Sequence, residues 1–271
     1  MDAADQLFDR RLIAIRRKRA ALSGLDASYL HRRAADELVE RLDMVARPFA
    51  AALDLSSDSY LAERLRARGL EVVEGDEDRL PLPGGPFDLV VSVGVLDTVG
   101  DLPGTLALIR RALKPDGLFL AAFAGAGSLP RLRRAMRAAE EAEDAGAGPR
   151  LHPQIDVRAA GDLLVRAGFA LPVADREVID VRYTSLIGLI ADLRAMAATN
   201  VLVNRASRPF GRKGLAAAMA DFAAGAGAGG KTAERFEILY LSAWAPAPGQ
   251  PQPARRGSGT ASLADALKPK R

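Results

Sequence analysis

FDLVVSV (87–93), the helical stretch Leu102–Leu113 and LFLAAFAG (118–125) decide the fold. Both outer runs are apolar at nearly every position instead of at every second one, which marks strands buried on both faces. A buried strand, a helix and a second buried strand form the unit of a parallel sheet wound by crossover helices. Upstream, PFAAALDL (48–55) is a short apolar run ending at Asp54, Tyr60–Arg68 is helical with Leu61 and Leu65 on one face, and LEVVEGD (70–76) is a strand. Downstream, residues 128–145 predict a charged helix broken at Ala145–Pro149, and Val157–Gly168 an amphipathic helix closing on glycine. ADREVIDVRY (174–183) reads as a strand, 185–203 and 209–224 as helices, Pro115-Asp116-Gly117 as a turn, and RFEILYLSAWAP (235–246) as a last, alternating strand. Two helices precede the sheet: a basic one over 5–24, and one over 27–45 whose Leu30, Ala34, Leu38 and Leu42 share a face. The expected organisation is N-terminal helices (1–45), an α/β domain (46–244) with cap segments at about 128–160 and 185–230, and a disordered Pro-, Gly- and Ser-rich tail (245–271).

The composition narrows the chemistry. The 271 residues contain no cysteine, which rules out disulfides, thiolate metal sites and a cysteine nucleophile. His31 and His152 lie far apart and carry no metal-ligand spacing, so no metal site is expected. The net charge of +4 is matched by the segment from Ala245 onward, with five basic residues and one acid, which leaves the body formally neutral. That distribution does not make the basic, aromatic-interleaved surface that nucleic acid requires. No apolar run approaches the roughly 20 residues of a membrane helix. MDAADQLFDRRL has no apolar core followed by a cleavage site, so a cytoplasmic location is expected.

ALDLSSDSYLAERL (52–65), EGDEDRLP (74–81) and SVGVLDTVGDLPGTLALIRRALKPDGLFLAAFAG (92–125) together resemble the class I S-adenosylmethionine-dependent methyltransferases. The likeness is to the type 11 group, including enzymes that methylate malonyl-acyl-carrier-protein. It implies a Rossmann-like sheet with the cofactor beyond the C-terminal ends of its strands. RRLIAIRRKRAA, RLHPQIDVRAAGDLLVRAGFALPVAD (150–175), DVRY (180–183), DLRAMAATN (192–200) and FEILYLSAWAP (236–246) carry a narrower resemblance. It is to the bacterial relatives of the methyltransferase-like assembly factor of respiratory complex I, a family that includes a protein-arginine hydroxylase. This implies a protein partner, such as a complex I subunit.

The chain departs from the family pattern at three places. Ser56, Ser57, Asp58 and Ser59 occupy the loop where glycines are expected. Arg68-Gly69 leads almost directly into a segment similar to the family's third and fourth strands, so the sheet is expected to be one strand short. The acid that holds the cofactor ribose goes with the absent strand, leaving Glu63 or Glu71 as substitutes. Asp97-Thr98 stands where relatives often carry His-Trp.

The resemblance makes Asp54, Ser56, Asp76, Glu77 and Ser92 the cofactor-binding candidates and names no catalytic residue. A strand-ending acid such as Asp54 is equally suited to capping the next helix. His152 faces substrate or merely sits in a loop, and His31 reads as solvated surface. Asp192, Arg194 and Asn200 approach the pocket from a cap, or lie on the wet face of a helix. Tyr183 positions substrate or closes its strand. The basic N-terminal helix rests on an anionic membrane surface or is simply solvated. Three functions stay open: an active methyltransferase on a protein or acyl-carrier substrate, an assembly factor that has lost catalysis, and an arginine hydroxylase.

Overall fold

The computed structural model describes residues 6–22, 28–80, 83–144, 146, 148–206 and 209–251. Most of the expected disordered tail (252–271) lies outside the described residues. Among the described residues six strands form one sheet: β1 (Ala51–Asp54), β2 (Glu71–Glu74), β3 (Phe87–Val93), β4 (Leu113–Ala124), β5 (Ala170–Tyr183) and β6 (Thr232–Trp244). Their order is β2-β1-β3-β4-β6-β5, and only β6 runs against its neighbours. Chain connections leave β1 and β3 in opposite directions, so a switch-point crevice opens between their C-terminal ends, where such sheets take ligands.

Alternation of buried side chains divides the core between two layers. Leu53, Val90, Phe119 and Leu239 pack on one face with helices α4 (Leu102–Ala112) and α6 (Val157–Arg166). Leu89, Val91, Leu118, Leu120 and Tyr240 pack on the other with α2 (Tyr29–Asp43) and α3 (Tyr60–Arg66). A third cluster joins α5 (Pro130–Ala142), α7 (Leu186–Ala195) and α8 (Arg212–Ala223) around Tyr183 and Phe236. These three helices form a roof beyond the strand ends. α1 (Arg10–Ala21) closes the roof's open side through Phe8, Ile13, Val201 and Leu202.

Local chemistry fixes the helix ends. Asp9, Asp101, Asp156 and Ser185 each accept a backbone N–H in the first turn of α1, α4, α6 and α7. Asp156 takes the Ala159 N–H at 2.8 Å. Replacing it by alanine is expected to cost about 1 kcal/mol, read as a lower urea midpoint at unchanged slope. Among the described residues no helix is long and apolar enough to cross a membrane.

Three expectations are corrected. Pro115-Asp116-Gly117 is not a turn but an irregular part of β4: Asp116 takes φ 61° while Arg47 and Gln250 hold its carboxylate at 2.7 and 2.6 Å. The chain therefore kinks without leaving the sheet. The 185–203 helix stops at Ala195, because Ala197 enters the left-handed region at φ 56° and the Ala198 N–H turns back to the Leu193 carbonyl at 2.8 Å. The 70–76 strand pairs directly with β1 and so takes the place of the family's second strand. A short crossover through α3 returns the chain to the free edge of β1, and one strand serves where the resemblance expects two.

Candidate functional site

Two recesses meet at the switch point. The first is a polar cleft of about 500 Å³ at the ends of β1 and β2, lined by Asp54, Ser56, Ser57, Glu74, Asp76 and Arg79 among others. Asp54 ends β1 and is 2% exposed. Its Oδ1 accepts the Ser56 N–H at 2.8 Å and its Oδ2 has no partner. Burial, reinforced by the nearby Glu74 and Asp58 carboxylates, raises its pKa to about 6.

The loop after β1 holds its shape without glycine. Leu55 and Ser57 donate their N–H groups to the Val91 and Val93 carbonyls, both at 2.9 Å, and Val93 N–H donates to Ser56 Oγ at 3.0 Å. Ser57 Oγ lies 3.2 Å from His31 Nδ1, Asp58 accepts the Tyr60 N–H at 3.1 Å, and Ser59 donates to Glu63 at 3.1 Å. All four side chains that replace the glycines are bonded to the protein itself.

Asp54, Ser56 and Asp76 are thus brought together, and two other candidates are not. Glu77 is buried beneath α1, where its Oε1 accepts from Arg10 at 2.7 Å and from Arg17 at 3.4 Å. Ser92 is fully buried within β3 with its Oγ unpaired, lining neither recess. Glu71 stands at the far end of β2, and Glu63 is taken by Ser59. The acid that ends β2 is Glu74, in register with Asp54 and paired with Arg66 at 2.7 Å. Among the described residues one trio of ligand-type side chains lies within reach of a single ion, Asp76, Glu77 and Asp78, and Arg10 already bonds all three.

The second recess is a mostly apolar cavity of about 230 Å³ between the sheet ends, the roof and α1. Leu132, Met136, Leu193 and Phe236 line it, together with a few polar groups. His31 is one of these, which corrects its assignment to the solvated surface. It packs on Gly94, where φ is +67° and a Cβ would come within 2.7 Å of its Nε2. Burial depresses its pKa. His152 accepts the Val201 N–H through Nε2 at 2.8 Å, lies edge-on to Phe8, and is held neutral by burial with a pKa of about 4. It ties the 150s loop to the 200s loop. Asn200 does the same, donating to the Pro149 carbonyl at 2.7 Å, and it also lines the cavity. Asp192 accepts from the Tyr29 hydroxyl at 3.3 Å, the Tyr29 and Tyr183 hydroxyls lie 3.1 Å apart, and Arg194 is exposed.

Asp97 completes the set. It lines the cavity, its Oδ1 is shut off from water without a partner, and burial raises its pKa to about 6. Ser57 lines both recesses. Three buried glutamates went unnoticed in the sequence: Glu140, which pairs with Arg150 at 3.0 Å, Glu234 and Glu237. Glu237 accepts the Gly127 N–H at 3.1 Å and pairs with Arg176 at 2.7 Å, while Glu234 caps α5. Glutamate is ordinarily an exposed residue, and nothing local marked these as buried.

Comparison with known proteins matches this architecture. Residues 21–121 match the family model described as a methyltransferase domain, Methyltransf_11. The chain is 32% identical to the mitochondrial arginine-hydroxylase NDUFAF5 of Danio rerio over 97% of its own length and 90% of that protein's. It is 31% identical to the human NDUFAF5, covering 88% of this chain and 76% of the relative. It is 34% identical to the malonyl-[acyl-carrier protein] O-methyltransferase of Xylella fastidiosa (strain M23), covering 73% of this chain and 67% of the relative. With a sheet wound as the sequence motifs imply and similarity to NDUFAF5 along nearly its whole length, the chain belongs to the NDUFAF5 family of class I methyltransferase-like proteins.

Proposed function

We propose that the chain binds S-adenosylmethionine in the polar cleft and works on a group that enters the apolar cavity, as a methyltransferase-like protein acting on a protein or acyl-carrier substrate. The observation that carries this reading is the junction at Ser57, where an acid-lined cleft and an apolar cavity share one wall. A cofactor in the first would face an acceptor in the second.

The residues fit the cofactor. Its ammonium, ribose hydroxyls and adenine amine are donors, and the cleft offers the unpartnered Asp54 Oδ2 with Glu74 and Asp76 beside it. These acceptors also suit a sulfonium cation. Because Ser56, Ser57, Asp58 and Ser59 are each bonded within the protein, they hold the loop in place of glycines. The cofactor supplies an electrophilic methyl group when bound. The protein's share is alignment of the acceptor and exclusion of water, which need no acid–base pair.

Titration calorimetry with S-adenosylmethionine and S-adenosylhomocysteine tests this. Micromolar binding is expected, weakened about tenfold or more by Asp54→Ala, on the scale of one charge-assisted hydrogen bond. Folded protein that binds neither ligand at millimolar concentration would refute it. The similarity to NDUFAF5 supports a second reading of the same cavity, with a protein arginine as the substrate and a complex I subunit as the partner. α1 turns Arg10, Arg16 and Arg17 inward and leaves Arg11, Lys18 and Arg19 for an anionic partner or membrane surface.

A further inference from the structure

The cavity contains six residues able to carry charge: Arg17, His31, Asp97, Arg150, His152 and Glu237. Five already have partners. Arg17 reaches Glu77 at 3.4 Å, Arg150 pairs with Glu140 at 3.0 Å, and Glu237 pairs with Arg176 at 2.7 Å. His31 is bonded to Ser57 at 3.2 Å, and His152 to the Val201 N–H at 2.8 Å. Asp97 Oδ1 alone, among these, is buried with nothing to accept from.

A buried acceptor left unpaired is costly and is ordinarily satisfied by something. The apolar walls of Leu132, Met136 and Phe236 suit an alkyl stem, and a carboxylate beyond them suits a cationic head at its end. An anionic acyl group, such as a malonyl ester, would meet Asp97 as a like charge in a poorly hydrated space, while the cations on the same walls, Arg17 and Arg150, are already engaged by Glu77 and Glu140.

We propose that Asp97 is the specificity-determining residue of the cavity, accepting the guanidinium of a substrate side chain and turning anionic acyl groups away. The assignment rests on the reading of the cavity as the acceptor site. It separates the two substrate classes named by the relatives through one residue of this chain.

The probes are N-acetyl-L-arginine methylamide, its neutral citrulline counterpart and S-malonylpantetheine, each titrated into the full chain by ligand-observed NMR. The arginine probe is expected to bind about tenfold or more tightly than citrulline, the scale of one charged hydrogen bond. Asp97→Asn is expected to remove that preference and Asp97→Glu to keep it, with circular dichroism establishing that both variants fold. Equal binding of arginine and citrulline, preference for the malonyl probe, retention of the arginine preference in Asp97→Asn, or no binding of any probe would each overturn the assignment. A parallel titration of the wild type with S-adenosylhomocysteine separates the two claims. If that ligand fails to bind while the arginine preference holds, the cofactor reading falls and the role of Asp97 stands.

Discussion

Replacing Glu234 by alanine is expected to lower stability by about 3–5 kcal/mol, and the melting temperature by roughly 10 °C. The side chain is fully buried on β6. It accepts the backbone N–H groups of Arg131, Leu132 and Arg235 at 3.2, 2.7 and 2.9 Å. Two of these are free donors at the start of α5, whose own N-cap residue, Leu129, sits at φ 61° and offers no capping side chain. Glu234 thus caps a helix from a distant strand, and its charge also faces the positive end of the helix. Alanine would leave the buried donors unpaired, each costing about 1–3 kcal/mol. Glu234→Gln, which retains an acceptor oxygen, is expected to lose about half as much. Thermal melts of the three proteins check the order. Equal stability of wild type and Glu234→Ala would show that water replaces the cap. Because α5 carries Leu132 and Met136 into the cavity, probe binding is expected to weaken together with stability.

The second large effect runs the other way. Asp54→Asn is expected to be more stable than the wild type at pH 8 by about 1–3 kcal/mol. Asp54 has a pKa of about 6 in the folded protein against 3.8 for the free side chain, because burial disfavours its charged form. Between those values the folded state binds the extra proton, so stability falls as pH rises through the window. The penalty is absent below about pH 4 and complete above about pH 7. Asparagine carries no such charge and still offers an oxygen to the Ser56 N–H. Its advantage is therefore expected to vanish in melts near pH 4. An equal advantage at pH 4 and pH 8 would show that the carboxylate is not destabilised in the fold. A variant that gains stability while losing cofactor affinity would place Asp54 among residues kept for binding at the expense of folding.

Much of this was legible in the sequence, because it depends on local pattern. The nearly continuous apolar runs at 87–93 and 118–125 announced strands covered on both faces, and Asp54 announced itself at the end of the 48–55 run. The 70–76 strand was harder. Its apolar pattern says strand, but the partner it pairs with is decided by the length of the α3 crossover and by which sheet edge is free. For the same reason Glu74 was passed over in favour of Glu63 and Glu71. The site candidates divided along this line: Asp54, Ser56 and Asp76 follow strand ends, whereas Glu77 depends on α1 reaching across from far upstream. His31 was misread because its neighbours Arg32 and Arg33 are charged, while its packing is set by the left-handed Gly94 just past the end of β3. The effect of the four loop side chains could not be read from residue type alone. It depends on hydrogen bonds to Val93, His31, Tyr60 and Glu63.

The roof helices α7 and α8 lie between β5 and β6, and those strands pair without a break in register from Val173 to Tyr183, which faces Thr232. Both ends of the 184–231 segment therefore emerge side by side from a ladder that the sheet already completes. Such a segment resembles an inserted module at its ends, while its body must still match α5, Phe8 and Ile13, which pack on it, and His152 and Pro149, which bond it. The part of the cavity wall given by Leu193, Met196 and Asn200 is thereby separable in sequence from β1, β2 and the loop after β1, which carry Asp54, Glu74 and Ser57. Exchanging 184–231 between members of this family is a way to redirect which molecules enter while leaving the floor of the site in place.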